Sequence, residues 1–435
     1  MSIVIVLTIL ICGYNIIRNT GQKRFNWLIC SILIFSSAII IWNKPQVPCH
    51  RFLILCFWLS VLRQKEYRLK SFPLKIPLII YVIGFLIIGF NSPYLNIFYK
   101  IYKPLALLLD TYLILLLTCY GIKNESFYSK AIVNTLFFVT IYGVITFIIR
   151  SNPIQEFISS TFGNSLLSDY YWGERIRICS TWSHPISYGF ICSTLFYELL
   201  PFIRKRKVKI LLLLLFINVL ICGSRTSLAA FLLMGGIYIM FRYNVSKSII
   251  MALIIITLAI PVYLFVPIVQ EKVDSIILTA KGEDNVQGSS LEMRDAQTEA
   301  ALLITSEYPI FGHGYDYIQE GLGYGTDNFK GDWRLLGFES YIYVILIERG
   351  FFGLVIEIII LLSILTYAYR KRKINRKDCS FIIACCIGYI FFSVSTGTLD
   401  TKIITLFMIG FSICKIQYQS IHKNEKEISN SNSCV

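Results

Sequence analysis

Several arginines and one carboxylate stand beside long apolar runs, where an ionisable side chain is costly and defaults to a functional candidate. Arg225 lies in ICGSRTSLAAF, between two such runs. Its planar guanidinium suits a phosphate group, or it could snorkel and cap a helix C-terminus. Arg294 lies in LEMRDAQTEAALLITSEYPIFGHGYD beside Glu292, Asp295 and Glu299, a setting in which an isolated arginine ordinarily serves as a surface ion-pair partner. Glu339 opens FESYIYVILIERGFFGLV. A carboxylate there either caps the helix or, partly desolvated, accepts a proton from a hydroxyl. Arg175, Arg177 and His184 occur in YYWGERIRICSTWSHPISYGF, with Tyr171 and Trp172 nearby. They could hold an anion, stack on a sugar, or fix the segment to lipid headgroups. His313 and Asp316 in FGHGYD, and Glu348 and Arg349 in IERGFFG, complete the set. The last two read equally well as part of a buried polar network.

Composition sets the elements that must position these residues. The chain is 55% hydrophobic and only 15% charged, with a mean hydropathy of +0.64. A soluble domain carries about 25% charged residues. So little polar surface makes the bilayer the solvent. Apolar runs recur near residues 2–17, 25–42, 50–62, 76–90, 101–121, 131–149, 186–203, 210–223, 226–242, 248–268, 341–369, 379–396 and 401–418. They predict an all-α, polytopic transmembrane helical bundle of about 12–13 spans, with residues 1–418 as a single integral membrane domain. The first run has its charges after it and no small-residue cleavage site, so it reads as a retained helix. Residues 419–435 read as a polar, disordered tail.

The net charge of +15 does not point to nucleic acid. The lysines and arginines cluster in short connections between apolar runs, as at Arg204–Lys209 and Arg370–Lys377, and no basic stripe is interleaved with aromatics. With Arg204–Lys209 placed inside and the spans alternated, the other strongly basic connections also fall inside. The N-terminus is then outside and the C-terminus cytoplasmic. Two long connections fall outside, about 150–185 and 270–339. The larger holds 13 of the 26 acidic residues and mixes predicted helical turns with a Gly- and aromatic-rich stretch, so it reads as a partly helical, functional loop. Most of the 13 cysteines sit in apolar runs without CxxC or Cys/His ligand spacing. They read as small hydrophobes, with no metal and no cofactor.

This topology gathers the arginines and Glu339 at one membrane face. Group transfer from a lipid-linked diphosphate needs that combination: guanidinium groups offset charge on the leaving diphosphate, and a carboxylate activates the attacking hydroxyl.

Three segments, in this order, resemble the O-antigen ligase/polymerase family: RIRICSTWSHPISYGF, ICGSRTSLAAF, and the series from LEMRDAQTEAALLITSEYPIFGHGYD to ESYIYVILIERGFFGLV. The likeness covers a core of about 175–369 and is strongest in YPIFGHG and YVILIERGFFGL. It implies a GT-C-like, metal-independent glycosyltransferase of the bacterial inner membrane, taking glycan from undecaprenyl diphosphate on the periplasmic face. Arg225 and Arg294 fall where family arginines are thought to hold the diphosphate, and Arg177 precedes the His-Pro element, where a further arginine is common. A chain-length regulator and a flippase are candidate partners. Where family ligases usually carry a histidine, this chain has Glu339-Ser340. That departure favours a repeat-unit polymerase over a ligase acting on lipid A–core. A lipid-linked oligosaccharide transporter is the alternative from another class; it would place charges deep in mid-helix.

Overall fold

The computed structural model describes residues 2–35, 39–43, 46–64, 72–121, 125–162, 177–265, 270, 273–274, 277–278, 291–324, 329–331, 333–335, 340–397 and 400–432. Arg175 and Glu339, both expected in the site, lie outside them.

The architecture is all-α. Helices α1 (Ser2–Arg18), α2 (Gly21–Ile34), α3 (Cys49–Arg63), α4 (Lys75–Phe90), α5 (Ile97–Leu109), α6 (Leu113–Gly121), α7 (Lys130–Ile149) and α8 (Pro153–Phe162) form the first half. The second half comprises α9 (Pro185–Leu199), α10 (Arg206–Ile221), α11 (Arg225–Arg242), α12 (Val245–Phe265), α13 (Leu291–Glu307), α14 (Tyr341–Lys371), α15 (Arg376–Ser395) and α16 (Asp400–Asn432). Many starts are fixed by a side chain that accepts from an orphan backbone N–H: Asn96 for α5, Ser129 for α7, His184 for α9, Ser224 for α11, Ser340 for α14 and Asn375 for α15.

Among the described residues α7, α14 and α15 are long and apolar enough to cross a membrane, with shorter apolar helices at Ile3–Arg18 and Lys75–Phe90. On α14, Ile356, Ile360 and Ile364 are buried while Val355, Ile358, Ile359 and Leu362 are exposed. A helix that is apolar on its outward as well as its inward face requires lipid around it. This is a helical membrane protein.

The structure departs from the hydropathy reading in three places. The run expected at 25–42 ends as helix at Ile34, and Ile40–Asn43 pairs antiparallel with Gln46–Pro48 in a small hairpin. Pro48, which has no N–H to donate, then leads into α3. The run expected at 101–121 is two helices broken at Asp110, whose carboxylate accepts two 3.0 Å bonds from Arg51 Nε on α3. A charge that must reach its partner ends the helix there. Finally, α16 runs on through Asn432, across the stretch read as a disordered tail.

Candidate functional site

The two stretches that most resemble the family pack on each other. At Gly350 α14 leaves helical geometry, with φ 62° and ψ −167°. The loop Pro309–Gly314 supplies hydrogen-bond partners there. Phe351 and Phe352 N–H donate to the Pro309 and Ile310 carbonyls at 2.9 and 3.0 Å, and His313 and Gly314 N–H donate to those of Ile347 and Glu348 at 2.9 and 3.0 Å. Only glycines allow this approach. A Cβ on Gly312 (φ 68°) would lie 2.5 Å from Arg349 N, and one on Gly350 would lie 2.6 Å from Gly312 N.

Above the kink, α13 lies along the first turns of α14. Ala300, Ala301 and Ile347 share a small core with Ile318 and Leu335. The Arg294 carbonyl accepts from Thr298 Oγ1 at 2.8 Å and from Tyr343 Oη at 3.3 Å. Thr298 Oγ1 and Tyr343 Oη are themselves 2.7 Å apart. Half-buried Arg294 is thereby set beside the start of α14, and Glu339 precedes its cap, Ser340, by one residue.

Arg225 is the first residue of α11, so it opens a helix rather than capping a C-terminus. The positive end of the helix dipole adds to its charge, an arrangement suited to an anion. Ser227 Oγ, one turn in, bonds the Ile186 carbonyl at 2.8 Å and ties this start to that of α9. Phe190 of α9 meets Phe392 of α15 with ring centroids 4.3 Å apart. Ser393, next to it, accepts through its carbonyl from Ser340 Oγ at 3.4 Å, and Tyr341 N–H donates to the Thr396 carbonyl at 3.1 Å. The starts of α9, α11 and α14 and the end of α15 therefore share one end of the bundle. Arg225 and Arg294 belong to that end.

Arg177 is half-buried ahead of a segment built into the helices. Ser180 Oγ bonds the Val139 carbonyl at 2.6 Å, Thr181 Oγ1 the Leu33 carbonyl at 2.7 Å, and Trp182 packs on His50. His184 Nδ1 accepts from Ile186 N–H at 3.2 Å. The ring of His313 is buried, stacked on Tyr317 at 3.9 Å, with Nε2 3.0 Å from the Ile304 carbonyl. Asp316 pairs with Lys103 of α5. Those geometries give His184, His313 and Asp316 work in holding their own segments in place.

Across the kink runs a network that the sequence showed only in part. Arg349 Nη1 is 3.1 Å from Tyr341 Oη and 3.5 Å from Glu357 Oε1. Lys402 Nζ on α16 reaches Glu357 Oε1 at 3.0 Å and Tyr341 Oη at 3.4 Å, and Tyr81 Oη on α4 donates to Glu357 Oε1 at 2.9 Å. Arg349, Glu357 and Lys402 are at most 4% exposed. Two cations share one carboxylate, and aromatic faces take up the excess: Phe85, 4.9 Å from the guanidinium, and Tyr112 and Tyr341, at 5.0 and 4.9 Å from the ammonium. Arg349 was readable as a network member. Glu357 was missed although it stands inside LVIEIII, where a carboxylate in an apolar run is itself the signal. Lys402, close to the start of its run, carried no comparable mark.

Among the described residues no three of His, Cys, Asp and Glu gather closely enough to hold a metal ion. A search of curated proteins finds none that matches the chain. A family model does match, over residues 210–358. The match takes in Arg225, Arg294, His313, Asp316, Glu339 and the whole loop-to-kink junction, and leaves out the Arg175–His184 segment. Its description is O-antigen ligase, and residues 210–358 are similar to that family.

Proposed function

We propose that the chain is a membrane glycosyltransferase that polymerises surface-polysaccharide repeat units, such as those of O-antigen, at the periplasmic face of the bacterial inner membrane. A sugar hydroxyl of one lipid-linked unit attacks the anomeric carbon of the glycan carried on another. The new glycosidic C–O bond forms as the bond to undecaprenyl diphosphate breaks, with inversion, and the hydroxyl proton passes to Glu339. Arg225 and Arg294 bind the diphosphate, with Arg177 as a third contact and Arg175, His184, His313 and Asp316 at the margin. The N-terminus is periplasmic and the C-terminus cytoplasmic.

The observation that carries this reading is the convergence of Arg225, at a helix N-terminus, with Arg294, docked on the start of α14, at one end of the bundle. Such an end offers fixed positive charge to a leaving diphosphate. Glu339→Gln and Arg294→Ala, each at normal protein abundance, are expected to abolish polymer in cells. Wild-type polymer lengths in both would sink the assignment.

The description of the matched family favours a second reading, ligation to lipid A–core. Deletion separates the two on a lipopolysaccharide gel: a core carrying a single repeat marks a lost polymerase, a bare core a lost ligase. The buried Arg349–Glu357 pair places charges within α14, away from its ends, as a transporter would. Purified protein given only lipid-linked repeat unit decides that point, because chain growth excludes transport alone.

A further inference from the structure

The other end of the bundle holds a cavity of about 480 Å³, within the size range of small-ligand sites. It opens where α11 ends and α15 begins. The 20 residues of α15, which begins at the cavity and ends beside Ser340, separate it from the Arg225 and Arg294 end, a span on the order of 30 Å at 1.5 Å per residue. It is therefore no part of the site above.

Four basic side chains line it, Arg242, Arg376, Lys377 and Lys415, against two carboxylates, Glu125 and Asp378. Their charges are committed unequally. Lys415 Nζ is 3.3 Å from Glu198 Oε1, a buried carboxylate behind the wall. The Arg376 guanidinium caps the end of α11, donating to the Phe241 carbonyl at 3.0 Å, to Asn244 Oδ1 at 2.8 Å and to the Tyr243 carbonyl. Asp378 closes a cap with Asn375, whose Nδ2 donates to it at 2.6 Å. Neither Arg242 nor Lys377 is in an ion pair among those of the described residues; the Lys377 ammonium lies over the Phe202 ring at 4.4 Å. With Glu198 included, the cavity keeps one positive charge over. Lys205, over the adjoining Tyr128 and Phe202 rings, adds to it.

We infer that this cavity binds the phosphate diester of an anionic phospholipid headgroup. A diester carries negative charge to a place where basic groups outnumber carboxylates. Phe202 and Ile374 in the same wall offer apolar contact to the glycerol backbone. The end that carries the basic connections is where anionic lipid accumulates, and basic pockets between helices on that side hold such headgroups.

The test uses full-length protein purified in neutral detergent and stripped of lipid. Phosphatidylglycerol in mixed micelles is expected to raise the unfolding temperature and to be retained in native mass spectra, where phosphatidylcholine is not. The double variant Arg242→Gln/Lys377→Gln is expected to bind phosphatidylglycerol at least tenfold more weakly, and each single variant to fall between. Equal retention of both lipids by the wild type, which needs no variant to fold, overturns the proposal. So does wild-type affinity in the double variant. Protection by inorganic phosphate as strong as that by phosphatidylglycerol assigns the cavity to a soluble phosphate and overturns the lipid occupant.

Discussion

The kink of α14 and the charged network that spans it hold the same helix by different means. At Gly350 the chain abandons its own hydrogen-bond ladder, and the loop Pro309–Gly314 supplies four backbone bonds in return. No side-chain chemistry is needed there, only the absence of two Cβ atoms. Between Arg349 and Glu357 the helix is regular after the kink, and what joins it to α4 and α16 is charge on side chains. The first junction fails sterically and locally. The second fails electrostatically, and in a water-poor interior that failure costs more, because a charge left alone there has no solvent to answer it.

The largest expected effect follows from that asymmetry. Glu357→Leu leaves Arg349 and Lys402 buried beside each other with no carboxylate between them, and removing one partner of a buried ion pair costs about 3–5 kcal/mol. Thermal unfolding in detergent should show a drop of that order, with Glu357→Gln milder because an amide oxygen still accepts from Tyr81 and Lys402. Gly350→Ala comes next. At φ 62° and ψ −167° the backbone lies in a region essentially confined to glycine, where an L-residue costs on the order of 1–3 kcal/mol, and the new Cβ must also push back Gly312 N, 2.6 Å away. The same unfolding measurement checks it. If Gly350→Ala proves the costlier of the two, the network contributes less than its burial implies and the contrast drawn here is reversed.

The two junctions also differed in how far the sequence disclosed them. The glycines of YPIFGHG and IERGFFG were visible as unusual stretches, and their family resemblance pointed to the same place. That they face each other is a tertiary fact with no local mark. Arg349 could be read as a network member from its position in an apolar run. Glu357, eight positions on in the same apolar run, carried a mark of its own, but Tyr81, 276 positions from Glu357, and Lys402 on another helix carried none. The break at Asp110 was hidden for the same reason: hydropathy sees an unbroken run, while the cause is Arg51 on another helix. Helix starts were more legible, because a cap is local. Even so, His184 read as a ligand candidate, and its Nδ1 is spent on the first turn of α9. Of the proposed site, Arg225 and Arg294 carried the charge that drew attention to them. Their gathering at one end depends on contacts such as Phe190–Phe392 and Ser340–Ser393 that no spacing predicts.

The smallest expected effect on stability is the sharpest on function. Tyr343 Oη holds both Thr298 Oγ1 and the Arg294 carbonyl, so it joins α13 to α14 one turn past Ser340. Tyr343→Phe removes those bonds and keeps the ring in its packing, at a cost of roughly 1 kcal/mol. In a purely structural role, polymer would fall only as far as protein abundance does. If the bond instead sets the Arg294 guanidinium against the diphosphate, Tyr343→Phe at matched abundance should weaken apparent affinity for the lipid-linked donor several-fold while leaving the unfolding temperature nearly in place. Measuring both on the same preparation separates the two roles. Loss of stability without loss of donor affinity would mean that α13 is held at the start of α14 for the sake of the fold alone.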